Sequence, residues 1–118
     1  MIRQLPIDIL DEVLFVPRAI VAEPIGRFAR RLALKLIQSE DDLDQFEGLI
    51  LSLNDEVPFT LTRHRGHDSN QTTVSLPVEI GTVGGFSTLI SRIADELNID
   101  ARAVVWQQER DDPPRKYA

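Results

Sequence analysis

The sequence predicts an α+β fold: a two-layer sandwich in which a small, mainly antiparallel four-stranded sheet carries helices on one face. Two observations lead to this prediction. Apolar and polar residues alternate through residues 48–77, which is the period of a half-buried sheet. Apolar residues recur at helical spacing in 24–38 and 84–97, on either side of that stretch. The predicted order of elements is α-α-β-β-β-α-β.

Residues 1–23 form an apolar N-terminal arm ahead of these elements. Ile9 and Val13 lie at helical spacing, and Pro17 must end such a helix because the residue before a proline is pushed out of the α region. A short helix or an irregular segment is therefore expected, although 13–16 is also compatible with a short strand. Since isolated chain ends fray, the arm should pack on the domain or on a neighbour.

The first predicted helix covers residues 24–38 and is amphipathic. The side opposite its apolar stripe is basic and carries the following residues: Arg27, Arg30, Arg31 and Lys35. Leu34 falls in the middle of this basic side, which is the pattern of a protein contact with a charged rim. The alternative is an ordinary solvated helix face with one exposed leucine.

A short second helix is expected over 40–46. Ser39 and Asp42 have the spacing of a capping box before it, and Gly48 would stop it. Three antiparallel strands are expected next: 49–53, 58–65 and 71–76. Their leucine side should face the helices, whereas their other side, with Thr60 among its residues, should be exposed or covered by another molecule.

The third predicted helix covers 84–97, with Asn98 as a left-handed cap and Ile99 as the apolar contact after it. A last strand, 103–108, follows through a right-handed crossover. We expect it to pair in parallel with the strand at 49–53, which gives the sheet order 4-1-2-3.

Composition limits the class of protein. Residues 1–110 are expected to form one domain, and the polar tail 111–118 is expected to be disordered. The chain has no cysteine, which excludes disulfides, thiolate catalysis and cysteine-ligated metals. No signal pattern or membrane-length apolar run is visible, so a cytoplasmic protein without a membrane partner is expected. A formal net charge of −6 argues against nucleic acid as a partner.

The densest polar cluster lies where the second predicted strand runs into a loop. It consists of Arg63, His64, Arg65, His67 and Asp68. A zinc site needs three or four ligands and the chain holds only two histidines, so no metal or cofactor is expected. Acid–base catalysis would need a histidine beside a carboxylate, but no nucleophile or phosphate-loop motif accompanies it. Two interpretations stay open: a cationic anchor for a carboxylate or phosphate, and solvated charge at a strand end.

The leading hypothesis is a small cytosolic, bacterial-type protein–protein interaction or adaptor module without catalytic activity, which includes self-association as a homodimer. It rests on two surfaces suited to protein contact and on the lack of a catalytic motif. The alternative is an anion- or small-ligand-binding regulatory domain that uses the corner from Arg63 to His67. A histidine-dependent enzyme ranks third.

Overall fold

A computed structural model describes residues 2–40, 45–64, 70–78 and 85–107. Their elements, in chain order, are β1 Ile2–Gln4, α1 Ile9–Glu12, β2 Phe15–Val21, α2 Ile25–Leu32, β3 Ile37–Glu40, β4 Gln45–Leu53, β5 Val57–His64, β6 Thr72–Pro77, α3 Gly85–Leu97 and β7 Val104–Gln107. The α+β class and the mainly antiparallel sheet are confirmed. None of the described helices is long and apolar enough to cross a membrane.

The strands form one seven-stranded sheet in the order β1-β4-β5-β6-β2-β7, with β3 also paired to β4. The prediction of four strands in the order 4-1-2-3 is therefore wrong. The last strand does run parallel to β6, as the crossover rule requires, but β2 lies between them and pairs antiparallel with both. β7 thus lies beside β2 and not beside β4.

The predicted N-terminal arm supplies two strands of the sheet. Phe15–Val21 pairs with β6 on one side and with β7 on the other. Pro17, interpreted as a helix stop, lies opposite Ser75, next to a shift in register before Ala19. A proline is tolerated at such an irregularity because the ladder is already interrupted there.

The second predicted helix, 40–46, is wrong at residues 40, 45 and 46, which lie in strands, whereas 41–44 lie outside the described residues; the first helix is shorter than predicted. β3 and β4 occupy residues 37–40 and 45–53. Gly48 lies inside β4 and not at a helix end: a Cβ atom there would lie 2.7 Å from the carbonyl oxygen of Leu61, so the close approach of β5 requires glycine. α2 ends at Leu32 because Ala33 adopts a left-handed conformation with φ of 56°.

The hydrophobic core lies between the leucine side of the sheet and the helices α2 and α3. Its buried members include Leu49, Leu51, Phe59 and Leu61 from the sheet, packed with residues of both helices. The third helix and its cap are confirmed: Asn98 has a φ of 55°, and the backbone N–H of Ile99 donates to the carbonyl of Ala94 at 2.8 Å. This closing bond is that of a Schellman motif.

The other side of the sheet is buried at its centre, so the prediction of an exposed, weakly polar face is wrong there, whereas Val105 at the edge is exposed. Ile50, Ser52, Thr60 and Ser75 are all at most 7% exposed. The reason is topological, because the link from β1 to β2 must cross β4, β5 and β6. The link from β2 to β3, which contains α2, crosses the same strands in the opposite direction and lies on the leucine side. If both connections are right-handed, the link from β1 to β2 must lie on the other side, so residues 5–14, including α1, lie there.

Candidate functional site

The sequence of α2 separates a buried side from a cationic one. Ile25, Phe28 and Ala29 are buried, at the i, i+3 and i+4 spacing of one helix face. Arg27 and Arg30 are exposed, as is Lys35 just beyond the helix end. We call Arg27, Arg30 and Lys35 the cationic surface. Arg27 and Arg30 are three residues apart and therefore neighbours on one helix side, and Lys35 adds a third exposed cation close to them in the sequence.

Arg31 lies next to this surface and is held by contacts within the fold, although 33% of its side chain is exposed. Its guanidinium group donates hydrogen bonds to Oε1 of Glu23 and to the carbonyl oxygen of Leu97, the last residue of α3. It also lies over the ring of Phe28, 5.3 Å from the centroid. One side chain thus joins α2, the segment before it and the C-terminal end of α3.

Glu23, the partner of Arg31, is nearly buried. Its side chain is 11% exposed, and its backbone carbonyl accepts a 2.7 Å hydrogen bond from Oγ1 of Thr72 in β6. A carboxylate in such a position needs a cation and hydrogen bonds to offset its desolvation. Glu23 and Arg31 therefore act together to fix α2 on the sheet.

The cationic surface differs from Arg3, Arg31 and Arg63 in its lack of carboxylate partners among the described residues. Arg3 pairs with Asp55 at 2.9 Å, and Arg63 faces Glu47 at 3.6 Å. Within the described ranges, no ion pair joins any member of the cationic surface to a carboxylate. These cations are left available in a chain whose formal charge is −6.

Leu34 does not lie on the basic side of a helix. The chain leaves the helix at Ala33, so Leu34 is partly buried and packs against the core. Its backbone N–H donates to the carbonyl of Ala29 at 2.9 Å. The helix that the sequence predicts would have continued through Leu34 and turned it outward. The role of Leu34 as an interface residue stays a prediction.

The structure describes two residues of the predicted binding corner. Arg63 is directly opposite Glu47 across the β4–β5 pair, and His64 is opposite Phe46, with their ring centroids 5.3 Å apart. Cross-strand pairs of these kinds stabilise a sheet without any ligand. Arg63 retains one buried donor, Nε, without a hydrogen-bond partner. The other members of the corner, Arg65, His67 and Asp68, lie outside the described residues, so ligand binding there stays a prediction.

A candidate site for chemistry within residues 2–40, 45–64, 70–78 and 85–107 would be a group of metal-ligating side chains or a surface depression. These ranges contain no group of three metal-ligating side chains. A shallow, open depression at the C-terminal end of α3 is lined by Ala94, Asp95, Asn98, Ile99 and Asp100. It is not the enclosed, mainly apolar cleft with converging polar groups that small ligands need.

Sequence reasoning missed two buried charged residues, Arg18 and Glu23. Arg18 lies at the register shift in β2, and Glu23 lies between β2 and α2. The sequence did contain a signal for them, because each charged residue lies within or directly after an apolar run. Charged residues at such positions are buried only when they have partners.

Comparison with known protein families, curated proteins and solved structures found no match. Function must therefore be argued from the chain itself.

Proposed function

We propose that this protein is a non-catalytic interaction module that binds an acidic surface of a partner protein through its cationic surface. The observation that carries the proposal is the exposure of Arg27, Arg30 and Lys35 without carboxylate partners among the described residues. Guanidinium groups donate two parallel hydrogen bonds to a carboxylate, so exposed arginines suit an acidic partner.

The rest of the molecule supports a local, specific contact. A net charge of −6 repels polyanions from the chain as a whole, which disfavours a nucleic-acid backbone. An acidic patch on a partner protein is small enough to contact α2 without approaching the acidic remainder of the chain. The clamp formed by Arg31 and Glu23 holds the helix in place, so little conformational freedom is lost on binding.

The proposal includes a cytoplasmic location and self-association as a homodimer. The alternative function, an anion- or small-ligand-binding regulatory domain at the corner from Arg63 to His67, has the unpartnered Nε of Arg63 as its support, because a buried donor favours an acceptor. We rank it second, since Glu47 already faces this guanidinium.

The test uses a fluorescent peptide of consecutive glutamates as the probe and anisotropy as the measurement. We expect the intact chain to bind it at low salt and to release it as salt rises, because exposed charges are screened. Arg27→Glu/Arg30→Glu should weaken binding about tenfold or more, which is about 1.4 kcal/mol.

The matched control is Arg92→Glu/Arg102→Glu, which changes the net charge equally at arginines outside the cationic surface. It should retain binding within a factor of about two if position and not total charge decides affinity. Equal losses in both double variants, or no binding by the intact chain, would contradict the proposal.

A further inference from the structure

The last strand, β7, lies at one edge of the sheet. Within the described part of the chain, β7 pairs with β2 alone. The outer edge of Val104–Gln107 therefore presents backbone N–H and C=O groups that no described strand satisfies. Such an edge is a template for pairing with another chain.

Charge and proline, two features that protect an edge strand, are absent from the sequence of this edge, although β7 is short and its register with β2 shifts at Val105. Residues 103–108, Ala-Val-Val-Trp-Gln-Gln, contain neither a charge nor a proline. Val105 is a large apolar residue whose side chain is left 52% exposed. Charged side chains and proline are the common means by which proteins prevent pairing at an edge. β7 carries neither, so its sequence permits pairing.

The opposite edge is protected. Two short strands, β1 and β3, share it, and each pairs with a different half of β4. Arg3 lies in β1 and pairs with Asp55, and Pro6 follows where the chain leaves the edge. An interrupted edge with charge and a proline resists strand addition. The two edges therefore differ in charge and proline content, and β7 is the edge whose sequence permits pairing.

We propose that β7 pairs antiparallel with β7 of a second copy, about a twofold axis perpendicular to the sheet, and joins the two sheets into one. This deepens the self-association included in the proposed function and rests on that part of it. A twofold axis places the same uncharged segment on both sides, so no like charges meet and Val105 is brought near its own copy.

The size of the edge determines the strength of the dimer. A strand of four residues buries less surface than a standard stable interface, so we expect a reversible, concentration-dependent dimer. Backbone pairing of an uncharged edge does not depend on opposite charges. Salt should therefore leave the dimer intact or strengthen it, because it screens the repulsion between two acidic chains. Binding through the cationic surface should respond in the opposite direction.

The first test measures the mass of the full chain by sedimentation over a range of concentrations. We expect a shift from monomer to dimer as concentration rises, and its loss in Val105→Lys, which adds a charge to the open edge. Leu14→Lys is the matched control, since Leu14 is 68% exposed and lies outside β7. It should dimerise as the original chain does. Circular dichroism checks that both variants are folded.

The second test uses the absence of cysteine from the chain. Val105→Cys should form a disulfide-linked dimer on mild oxidation, several-fold faster than Leu14→Cys. A monomeric mass at every concentration, a dimer that persists in folded Val105→Lys, or equal cross-linking of the two cysteine variants would each overturn the proposal. Binding of the glutamate peptide would be unaffected by these outcomes, so failure here is distinguishable from failure of the cationic surface.

Discussion

Arg30 and Arg31 are neighbours in α2 and both reach solvent, but they differ in their contacts within the described residues. Arg31 donates to Glu23 and to the carbonyl of Leu97, and it covers the ring of Phe28. Arg30 is exposed, and no described carboxylate pairs with it. One step along a helix rotates the side chain by about 100°. That rotation separates an arginine that holds the fold together from one that is available to a partner.

The comparison teaches that a basic helix side is not one surface. A long arginine side chain near the edge of the apolar stripe can bury its stem and reach a partner in the interior. Glu23 and the free carbonyl at the end of α3 provide the acceptors that draw Arg31 inward. Among the described residues no carboxylate pairs with Arg30, and its side chain stays exposed. Variants of α2 should therefore separate into effects on stability and effects on binding.

The largest effect is expected on the buried side of α2. Phe28 is fully buried in the core, so Phe28→Ala should lower the free energy of unfolding by about 3–5 kcal/mol. Urea denaturation followed by circular dichroism measures this. Phe28→Leu, which leaves a smaller cavity, is the control and should lose less. Equal losses in the two variants would show that cavity size does not determine the effect.

A smaller loss is expected when the clamp is broken. Arg31→Ala leaves the carboxylate of Glu23, only 11% exposed, without its cation, and it removes a donor from Leu97. Hydrogen bonds to charged groups contribute about 1.5–3 kcal/mol, and solvent screening reduces this because a third of the Arg31 side chain is exposed. We expect a loss of about 1–2 kcal/mol in the same urea experiment.

Arg31→Lys is the control for this variant. It retains the charge but has no planar fork to reach two acceptors, so its stability should lie between those of the original chain and Arg31→Ala. A double-mutant cycle with Glu23→Gln measures the pair itself. If the two substitutions were additive, Arg31 and Glu23 would not be coupled, and the description of a clamp would be wrong.

Strong local periodicity was enough to predict part of the fold. The apolar stripe of α3 and its Asn98 cap were read correctly, and so were the strands β5 and β6. The exposed positions Arg27 and Arg30 were also found, because an amphipathic pattern identifies the side that faces water. These elements are defined by residues close together in the sequence.

The remaining errors came from local signals that have two meanings. Pro17 ends a helix in one context and occupies a strand irregularity in another, and only the pairing with β6 decides between them. Ser39 fits a capping box but lies in β3, opposite Phe46. Thr60 was predicted to face solvent, yet it is buried, and the handedness of the connections places the link from β1 to β2 on its side of the sheet. Each error depended on a contact far away in sequence, which the local pattern does not contain.

The smallest effect on stability, and the sharpest test of the comparison, is expected for Arg30→Ala. Because Arg30 is exposed and alanine favours helix, the free energy of unfolding should change by less than about 0.5 kcal/mol. The same variant should measurably weaken binding of the glutamate peptide, since a guanidinium available to a carboxylate is lost.

Arg31→Ala should show the reverse pattern when both variants are measured well below their unfolding transitions. Its stability should be reduced, whereas its affinity for the peptide should be closer to that of the original chain. If Arg30→Ala destabilised the chain as much as Arg31→Ala, or left peptide binding unchanged, the two arginines would not have separate roles, and α2 would be a structural helix alone.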